Sequence, residues 1–142
     1  WATRPNPREK ASFLEENILP LQEHGVLEYL DLSKKSLFPG FDFLTMDGHT
    51  DKQMLPKLHY KGRTLVFMAD LLPSVGHLPL PYVMGYDTRP LLTLQEKQAF
   101  LEEAARENYL LFFEHDASNE CCTVKMTEKG VRVDQTFRLD EL

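Results

Sequence analysis

Three apolar runs in this chain have the composition of buried β-strands, and each ends on a side chain that can bind a metal ion. The run "FDFLTMDGH" ends on His49, "TLVFMAD" on Asp70 and "YLLFFEH" on His115. Imidazole and carboxylate groups suit zinc, iron or manganese. The three residues are far apart in the sequence, so their spacing leaves two interpretations open: one shared metal site, or three ordinary strand ends.

The segments around these runs predict a mixed α/β fold. "QMLPKLHY" and "RTLVFMAD" flank Lys61 and Gly62, which is a hairpin signal because glycine readily adopts a positive φ. Pro56 predicts an edge position or a bulge in the first of these strands. Thr93-Leu94-Gln95-Glu96 has the pattern of a capping box and predicts the start of a helix. A second hairpin is predicted around residues 128–130, so strands, a helix and further strands follow one another.

The N-terminal third predicts one helix and little else that is regular. Asn6-Pro7-Arg8-Glu9 has the pattern of a helix start. Pro20 is expected to kink or interrupt that helix, and Gly25 to end it. "VLEYLDL" (26–32) then predicts a short extended run, and "KKSLFPGFD" (34–42) predicts a turn.

Composition excludes several classes of function. The net charge of −6 and the lack of a basic cluster argue against binding to nucleic acid. No apolar stretch approaches the roughly 18 residues that a membrane span needs. The two cysteines, Cys121 and Cys122, are adjacent and therefore point to opposite faces of a strand, so they are not expected to form a disulfide. Such sparse cysteine use favours the cytoplasm.

The segment 71–92 reads as a long loop that contains apolar side chains. Loops of this length in a compact domain are usually functional or disordered. We expect this loop to cover the site, with His77, Tyr82 and Tyr86 as candidate substrate contacts. A plain surface role for His77 stays open. Residues 87–90 predict a turn, and a clamp on a substrate carboxylate by Arg89 is the alternative.

Three short motifs resemble, in order, the later metal motifs of metallo-β-lactamase-superfamily hydrolases. They are "GHT" at 48–50, "MADLL" at 68–72 and "FFEHD" at 112–116. The tail "LQEKQAFLEEAARENYLLFFEHD" is most similar to the branch that contains lactonases and organophosphate hydrolases. The resemblance covers about residues 8–132. It implies an α/β fold that is the C-terminal half of an αββα sandwich, a mixed sheet flanked by helices.

The resemblance also implies roles for individual residues. His49 would bind one divalent metal ion, His115 a second, and the catalytic Asp70 would bridge the two. Zinc is the expected metal, and iron and manganese are the alternatives. Thr50 and Asp116 lie next to ligands and are candidates to orient them, although a plain turn or surface role is open for each.

The sequence departs from the superfamily pattern at three places. "GHT" continues as Asp51-Lys52-Gln53 where the pattern has Pro-Gly-His, and Ala69 stands where a glycine usually precedes the bridging acid. The first metal motif, His-x-His-x-Asp-His, does not occur in these 142 residues. We therefore expect residues 1–142 to be the C-terminal part of a single domain whose N-terminal part lies outside this chain, with Trp1 not the natural start.

The function that the resemblance implies is metal-dependent hydrolysis. Two metal ions would activate a water molecule that attacks an ester, lactone or phosphoester-type substrate. The alternatives are a di-iron redox protein of the same fold and a noncatalytic half-domain that completes a partner chain. The expected partners are a small-molecule substrate and the N-terminal part of the same protein. A homodimer stays open.

Overall fold

The protein is described here by a computed structural model that covers residues 1–31, Ser33 and 36–142. The chain divides into two compact units, Trp1–Lys34 and Lys35–Leu142. The first unit contains a helix, and the second carries the sheet and the candidate site. Among the described residues, no helix has both the length and the apolar character needed to cross a membrane.

The helix of the first unit, α1 (Glu15–Glu23), begins later than the sequence predicts. The side chain of Asn6 does accept hydrogen bonds from the amides two and three residues later, as a helix cap would. The predicted start was nevertheless wrong, because extended Leu14 separates this turn from α1. Pro20 lies inside α1, which continues past it. Gly25, with φ +65°, follows the last turn, so the predicted end is confirmed.

The segment between the first unit and the sheet is only partly as predicted. Residues 26–31 form neither helix nor strand, and Leu32, Lys34 and Lys35 lie outside the described residues. The predicted turn at 34–42 includes strand β1 (Ser36–Phe38) and a tight turn at Pro39 and Gly40. The turn prediction therefore holds for its second half.

In the described part of the chain, seven strands form one sheet in which neighbours in sequence are neighbours in space. After β1 come β2 (Phe41–Met46), β3 (Gln53–Tyr60), β4 (Arg63–Phe67), β5 (Leu110–Phe112), β6 (Cys121–Thr127) and β7 (Gly130–Phe137). All neighbouring pairs are antiparallel except β4 and β5, which are parallel. The connection between β4 and β5 contains helix α2 (Pro90–Glu107), since parallel neighbours need a crossover. The mixed α/β prediction is confirmed.

The β3–β4 hairpin follows its sequence signal closely. Lys61 and Gly62 have φ of +47° and +77°, the positive values of a type I′ turn. Pro56 pairs with Phe43 of β2, but the pairing of β3 with β4 ends at the next residue, Lys57. The amide of His59 donates toward β2, so by alternation the amide that proline lacks would face the β4 side, where no strand pairs with Pro56. Pro56 therefore lies at an edge with respect to β4 only.

Helix α2 packs on one face of the sheet and forms the main core with it. Phe100, Leu101 and Ala104 of α2 are buried in one cluster that also contains Val66 and Leu111. Burying each large apolar side chain contributes about 1.5–3 kcal/mol relative to its exposure. This packing fixes the helix against the strands whose ends carry the candidate site.

The opposite face of the sheet, which we call the second face, is also apolar. Strand alternation and register place side chains from five strands on it: Phe43, Leu58, Phe67, Phe112 and Phe137. These five are partly exposed, whereas Leu65, Leu110 and Cys121, which alternation places on the same face, are buried. A sheet that is apolar on both faces is typical of a layer between two others rather than of an outer layer.

Candidate metal centre

His49 lies on a turn that follows β2 and contacts the start of α2. The preceding residue, Gly48, approaches α2 so closely that a Cβ there would lie 2.3–2.5 Å from atoms of Thr93. Real Cβ atoms do not come that close, so only glycine fits. The glycine before His49 is thus explained by packing against α2.

Asp70 lies in a single 3-10 turn, Ala69–Leu71, directly after β4. The amide of Met68 donates to the carbonyl of Phe112 at 2.8 Å, which extends the β4–β5 pairing up to the turn. Ala69 has φ +42°, a left-handed conformation that favours glycine. This geometry gives a physical reason why glycine usually precedes the acid in the pattern that the sequence resembles.

His115 follows β5, and its amide donates to the carbonyl of Pro73 at 3.1 Å. Its side chain is 54% exposed, whereas that of His49 is 14% exposed. The hydrogen bond to Pro73 joins the loop of His115 to the segment that follows Asp70. The two imidazoles approach Asp70 from different loops.

The structure brings His49, Asp70 and His115 together at one edge of the sheet. Strands β2, β4 and β5 run in the same direction, so their carboxyl ends meet at that edge. Nε2 of His49 lies 3.3 Å from Oδ2 of Asp70, and Nε2 of His115 lies 3.4 Å from Oδ1. Each carboxylate oxygen thus faces a different imidazole.

This geometry fits two ions that share one carboxylate. Ligand atoms about 2.1 Å from a tetrahedral ion lie about 3.4 Å from one another, close to both N–O distances. Oδ1 of Asp70 is buried and accepts no hydrogen bond from the described residues, as expected of an oxygen that binds something else. Within residues 1–31, 33 and 36–142, no group of three His, Cys, Asp or Glu side chains could hold one ion together. Each of the two ions would therefore have two ligands from this chain.

Asp87 contacts His49 and was missed by the sequence analysis. Its Oδ1 lies 2.9 Å from Nδ1 of His49, and its side chain is fully buried. The sequence predicted a turn at 87–90, with a carboxylate clamp by Arg89 as the alternative, and gave Asp87 no role of its own. No local spacing pattern could reveal this pair, because 38 positions separate its members.

Glu96 is a second residue whose role differs from the prediction. The capping box at 93–96 was wrong, because α2 begins at Pro90 and Thr93 already lies inside it. Proline at the first helical position has its φ preset for the helix and needs no amide partner. Glu96 instead accepts hydrogen bonds from the amides of Asp47 (2.8 Å) and Gly48 (2.9 Å).

Thr50 and Asp116 have local roles in the described structure. The carbonyl of Thr50 accepts from the amide of Gln53. The carboxylate of Asp116 accepts from the amides of Val75, Ser118 and Asn119. Partial burial favours the neutral acid, but these amides outweigh it and hold the pKa of Asp116 below its ordinary value. Asp116 therefore organises the loop that carries His115.

The loop residues predicted to contact substrate lie on a segment that buried Lys97 anchors. Nζ of Lys97 donates to the carbonyls of His77 (3.0 Å), Pro79 (3.1 Å) and Tyr82 (2.6 Å). Burial lowers the pKa of Lys97 to about 8, an effect that the charge of Asp87 opposes. Tyr82 and Tyr86 are exposed, and Nδ1 of His77 lies 2.8 Å from the hydroxyl of Ser74.

The cysteines and a cavity beside α2 lie apart from His49, Asp70 and His115. Cys121 and Cys122 are buried and unpaired, and burial raises their thiol pKa values to about 11 and about 12. They are therefore poor nucleophiles at neutral pH. A cavity of about 240 Å³ lies between α2 and the β6–β7 hairpin, and neither His49, Asp70 nor His115 lines it.

Solved structures of several hydrolases resemble this chain. The dizinc quorum-quenching lactonase AidC is 20% identical, with a TM-score of 0.73, over 96% of this chain and 48% of its own. A probable metal-dependent hydrolase from Staphylococcus aureus is 22% identical, with a TM-score of 0.73, over 99% of this chain and 49% of its own. AbOPH, a hydrolase of the β-lactamase superfamily, is 18% identical, with a TM-score of 0.74, over 96% and 50%.

The fold is that of one half of a metallo-β-lactamase-superfamily hydrolase. The chain spans about half the length of these relatives, and the predicted half-fold is confirmed. No protein-family model matches the chain, and no curated protein does. In this metallo-β-lactamase half-fold, His49, Asp70 and His115 occupy the carboxyl-end edge of the sheet.

Proposed function

We propose that His49, Asp70 and His115 bind two divalent metal ions and that the protein is a metal-dependent hydrolase. The observation that carries this proposal is the pair of contacts that Asp70 makes, one carboxylate oxygen to each imidazole. Zinc suits nitrogen and oxygen ligands at these distances, and iron or manganese could replace it. When bound, the ions would supply an activated water and charge stabilisation.

Each side chain would then have one task. Nε2 of His49 would hold the first ion and Nε2 of His115 the second, while Asp70 would bridge them and keep them at a fixed separation. The thiols of Cys121 and Cys122 remain protonated at neutral pH because burial raises their pKa values. They offer no competing nucleophile, which favours the metal-dependent interpretation.

The substrate class that we propose is a small molecule with an ester, lactone or phosphoester bond. AidC, which shares the fold, is a lactonase in complex with its product. The exposed side chains of Tyr82 and Tyr86 would offer apolar contacts, and His77 a polar one. We expect the protein to be cytoplasmic.

The remaining metal ligands would come from a segment outside residues 1–142. Two ligands from this chain leave each ion with open positions, more than a bound water alone would fill. The second face of the sheet offers the apolar surface on which a further layer would pack. We propose that the N-terminal part of the same domain provides both that layer and the missing ligands.

Metal analysis tests the proposal. The protein is purified together with any sequence encoded before Trp1, and zinc, iron and manganese are counted per chain. We expect about two ions and hydrolysis after metal reconstitution. D70A should lose both ions and at least about 1,000-fold in rate, because metal ions contribute several kcal/mol. D134N removes a carboxylate on β7 that pairs with Lys125 and should behave as wild type.

Fewer than one ion per chain, with no hydrolysis after reconstitution, would count against a metal-dependent hydrolase. The second face favours one other candidate, a noncatalytic half-domain that completes a partner chain. Size-exclusion chromatography of residues 1–142 alone examines the apolar surface that this candidate requires. We expect aggregation or self-association, and a stable monomer would contradict the need for a partner layer.

A further inference from the structure

Asp87 contacts His49 on the side of the ring away from Asp70. Its Oδ1 lies 2.9 Å from Nδ1, whereas Asp70 faces Nε2 at 3.3 Å. The ring of His49 therefore lies between two carboxylates, one at each nitrogen. A carboxylate on the far nitrogen of a metal-binding histidine is a common arrangement, because it orients the ring and raises its basicity.

Burial shows that this contact is costly to build. The side chain of Asp87 is fully buried, and its Oδ2 accepts no hydrogen bond from the described residues. A buried carboxylate is unfavourable unless a partner compensates it. The imidazole of His49 is its hydrogen-bond partner, and the charge of Lys97 on α2 acts on it through space.

The turn around Asp87 does not need this carboxylate. The turn has a backbone hydrogen bond of its own, because the amide of Asp87 donates to the carbonyl of Met84 at 3.1 Å. A neutral side chain would satisfy the same turn without burying a charge. The carboxylate is thus explained by what it does to His49 rather than by local folding.

The two residues after Asp87 hold the backbone of the same histidine. The amide of Thr88 (3.2 Å) and its hydroxyl (2.9 Å) both donate to the carbonyl of His49. The amide of Arg89 donates to the carbonyl of Gly48 at 2.8 Å. Residues 87–89 therefore fix both the main chain and the ring of His49.

We propose that Asp87 is a positioning residue for His49. It accepts the Nδ1 hydrogen, so that Nε2 presents its lone pair toward the oxygen of Asp70 where a metal ion would bind. The inference rests on the proposed function and deepens it, because it assigns a support to one of the two proposed ions and not to the other.

The hydrogen bond itself is tested without metal. In NMR spectra of the metal-free protein, we expect a downfield Hδ1 resonance of His49 that exchanges slowly with water, assigned by its loss in H49Q. D87A should abolish its protection. D87N keeps an acceptor and should retain the resonance closer to its ordinary position, and D134N should leave it unchanged. A wild type without a protected Hδ1, or a D87A variant that keeps it, would overturn the inference.

Metal affinity provides the second test. Chelator competition with zinc should show that D87A weakens one of two bound ions by about 10–100-fold and leaves the other as in wild type. D134N should change neither affinity. If D87A does not fold, D87N replaces it, with a smaller loss at the same ion. Equal weakening of both ions, or of neither, would overturn the positioning role.

These outcomes separate the inference from the function on which it rests. A wild-type protein that binds no zinc overturns the proposed function and the metal role of Asp87 together. A wild type that binds two zinc ions, with D87A unaffected, overturns only the positioning role.

Discussion

The two imidazoles beside Asp70 are supported in different ways. The His49 side is anchored on α2, where Gly48 packs against Thr93 and Glu96 accepts the amides of the turn. The ring itself is 14% exposed and is held by Asp87 from behind. Helix α2 thus sets the position of His49 through packing, backbone hydrogen bonds and a buried charge.

The His115 side is anchored within its own loops. Asp116 ties residues 118 and 119 to Val75, and the amide of His115 donates to Pro73. The ring is 54% exposed, and its Nε2 lies 3.4 Å from Oδ1 of Asp70. His49 is therefore preorganised and His115 adjustable, so if both bind metal ions as proposed, we expect the ion beside His49 to be retained longer.

Gly48→Ala should break the better-supported side and have the largest effect on stability. The new Cβ would collide with backbone atoms of Thr93, so β2 and α2 must separate. We expect the free energy of unfolding to fall by about 2–3 kcal/mol, measured by urea denaturation. Gly85→Ala is the matched control, because a Cβ there meets open space. Similar losses in both variants would contradict the close packing.

Asp116→Asn examines the less-supported side and should cost about 1 kcal/mol at pH 7. Because the pKa of Asp116 is lower in the folded protein than in the unfolded chain, its stabilisation is complete above the unfolded pKa. It is lost as pH falls through the folded pKa. The gap between wild type and D116N in thermal unfolding should therefore shrink from about pH 5 downward. A gap that stays constant to acidic pH would mean that the carboxylate charge is not what holds the loop.

Much of this contrast was beyond the reach of the sequence. Strands β2 to β7 and the β3–β4 hairpin could be predicted because their signals are local: apolar runs and a Lys-Gly turn. His49, Asp70 and His115 were identified as ligand-type side chains at strand ends, and their metal-binding role stays a prediction. The supports could not, since Asp87 and Glu96 act on residues 38 and 48–49 positions away. Glu96 fitted a capping box in the sequence, so nothing indicated that it would instead bind the amides of Asp47 and Gly48.

The predicted start of α1 was wrong for a related reason. Asn6 makes the side-chain hydrogen bonds of a cap, but they close only a single turn. A cap indicates where a helix could begin and does not supply the packing that extends it. In α2, by contrast, Phe100, Leu101 and Ala104 bury a continuous face, and the helix was predicted correctly apart from its first turn.

Lys97→Met tests the support behind His49, because Lys97 anchors the loop that leads to Asp87. Removing a buried charge offsets part of the lost hydrogen bonds, so we expect a net change below about 1 kcal/mol at pH 7. Burial lowers the pKa of Lys97 from 10.5 to about 8, so between these values the unfolded chain binds more protons than the folded chain. Wild-type stability should therefore rise from pH 8 to 10 relative to K97M. The stability of wild type relative to Lys125→Met, which removes an exposed lysine, should show no such rise.

Ala69→Gly concerns the centre that both sides share and should have the smallest effect. At φ +42° an alanine is strained, and glycine relieves that strain but adds freedom to the unfolded chain. The first effect outweighs the second, so the free energy of unfolding should rise by about 0.5 kcal/mol, measured by urea denaturation. Ala104→Gly, inside α2, should instead destabilise the protein, because it loses helix propensity and core packing. If A69G also destabilises, the turn before Asp70 is not strained, and the support of Asp70 must be sought in its packing beside β5.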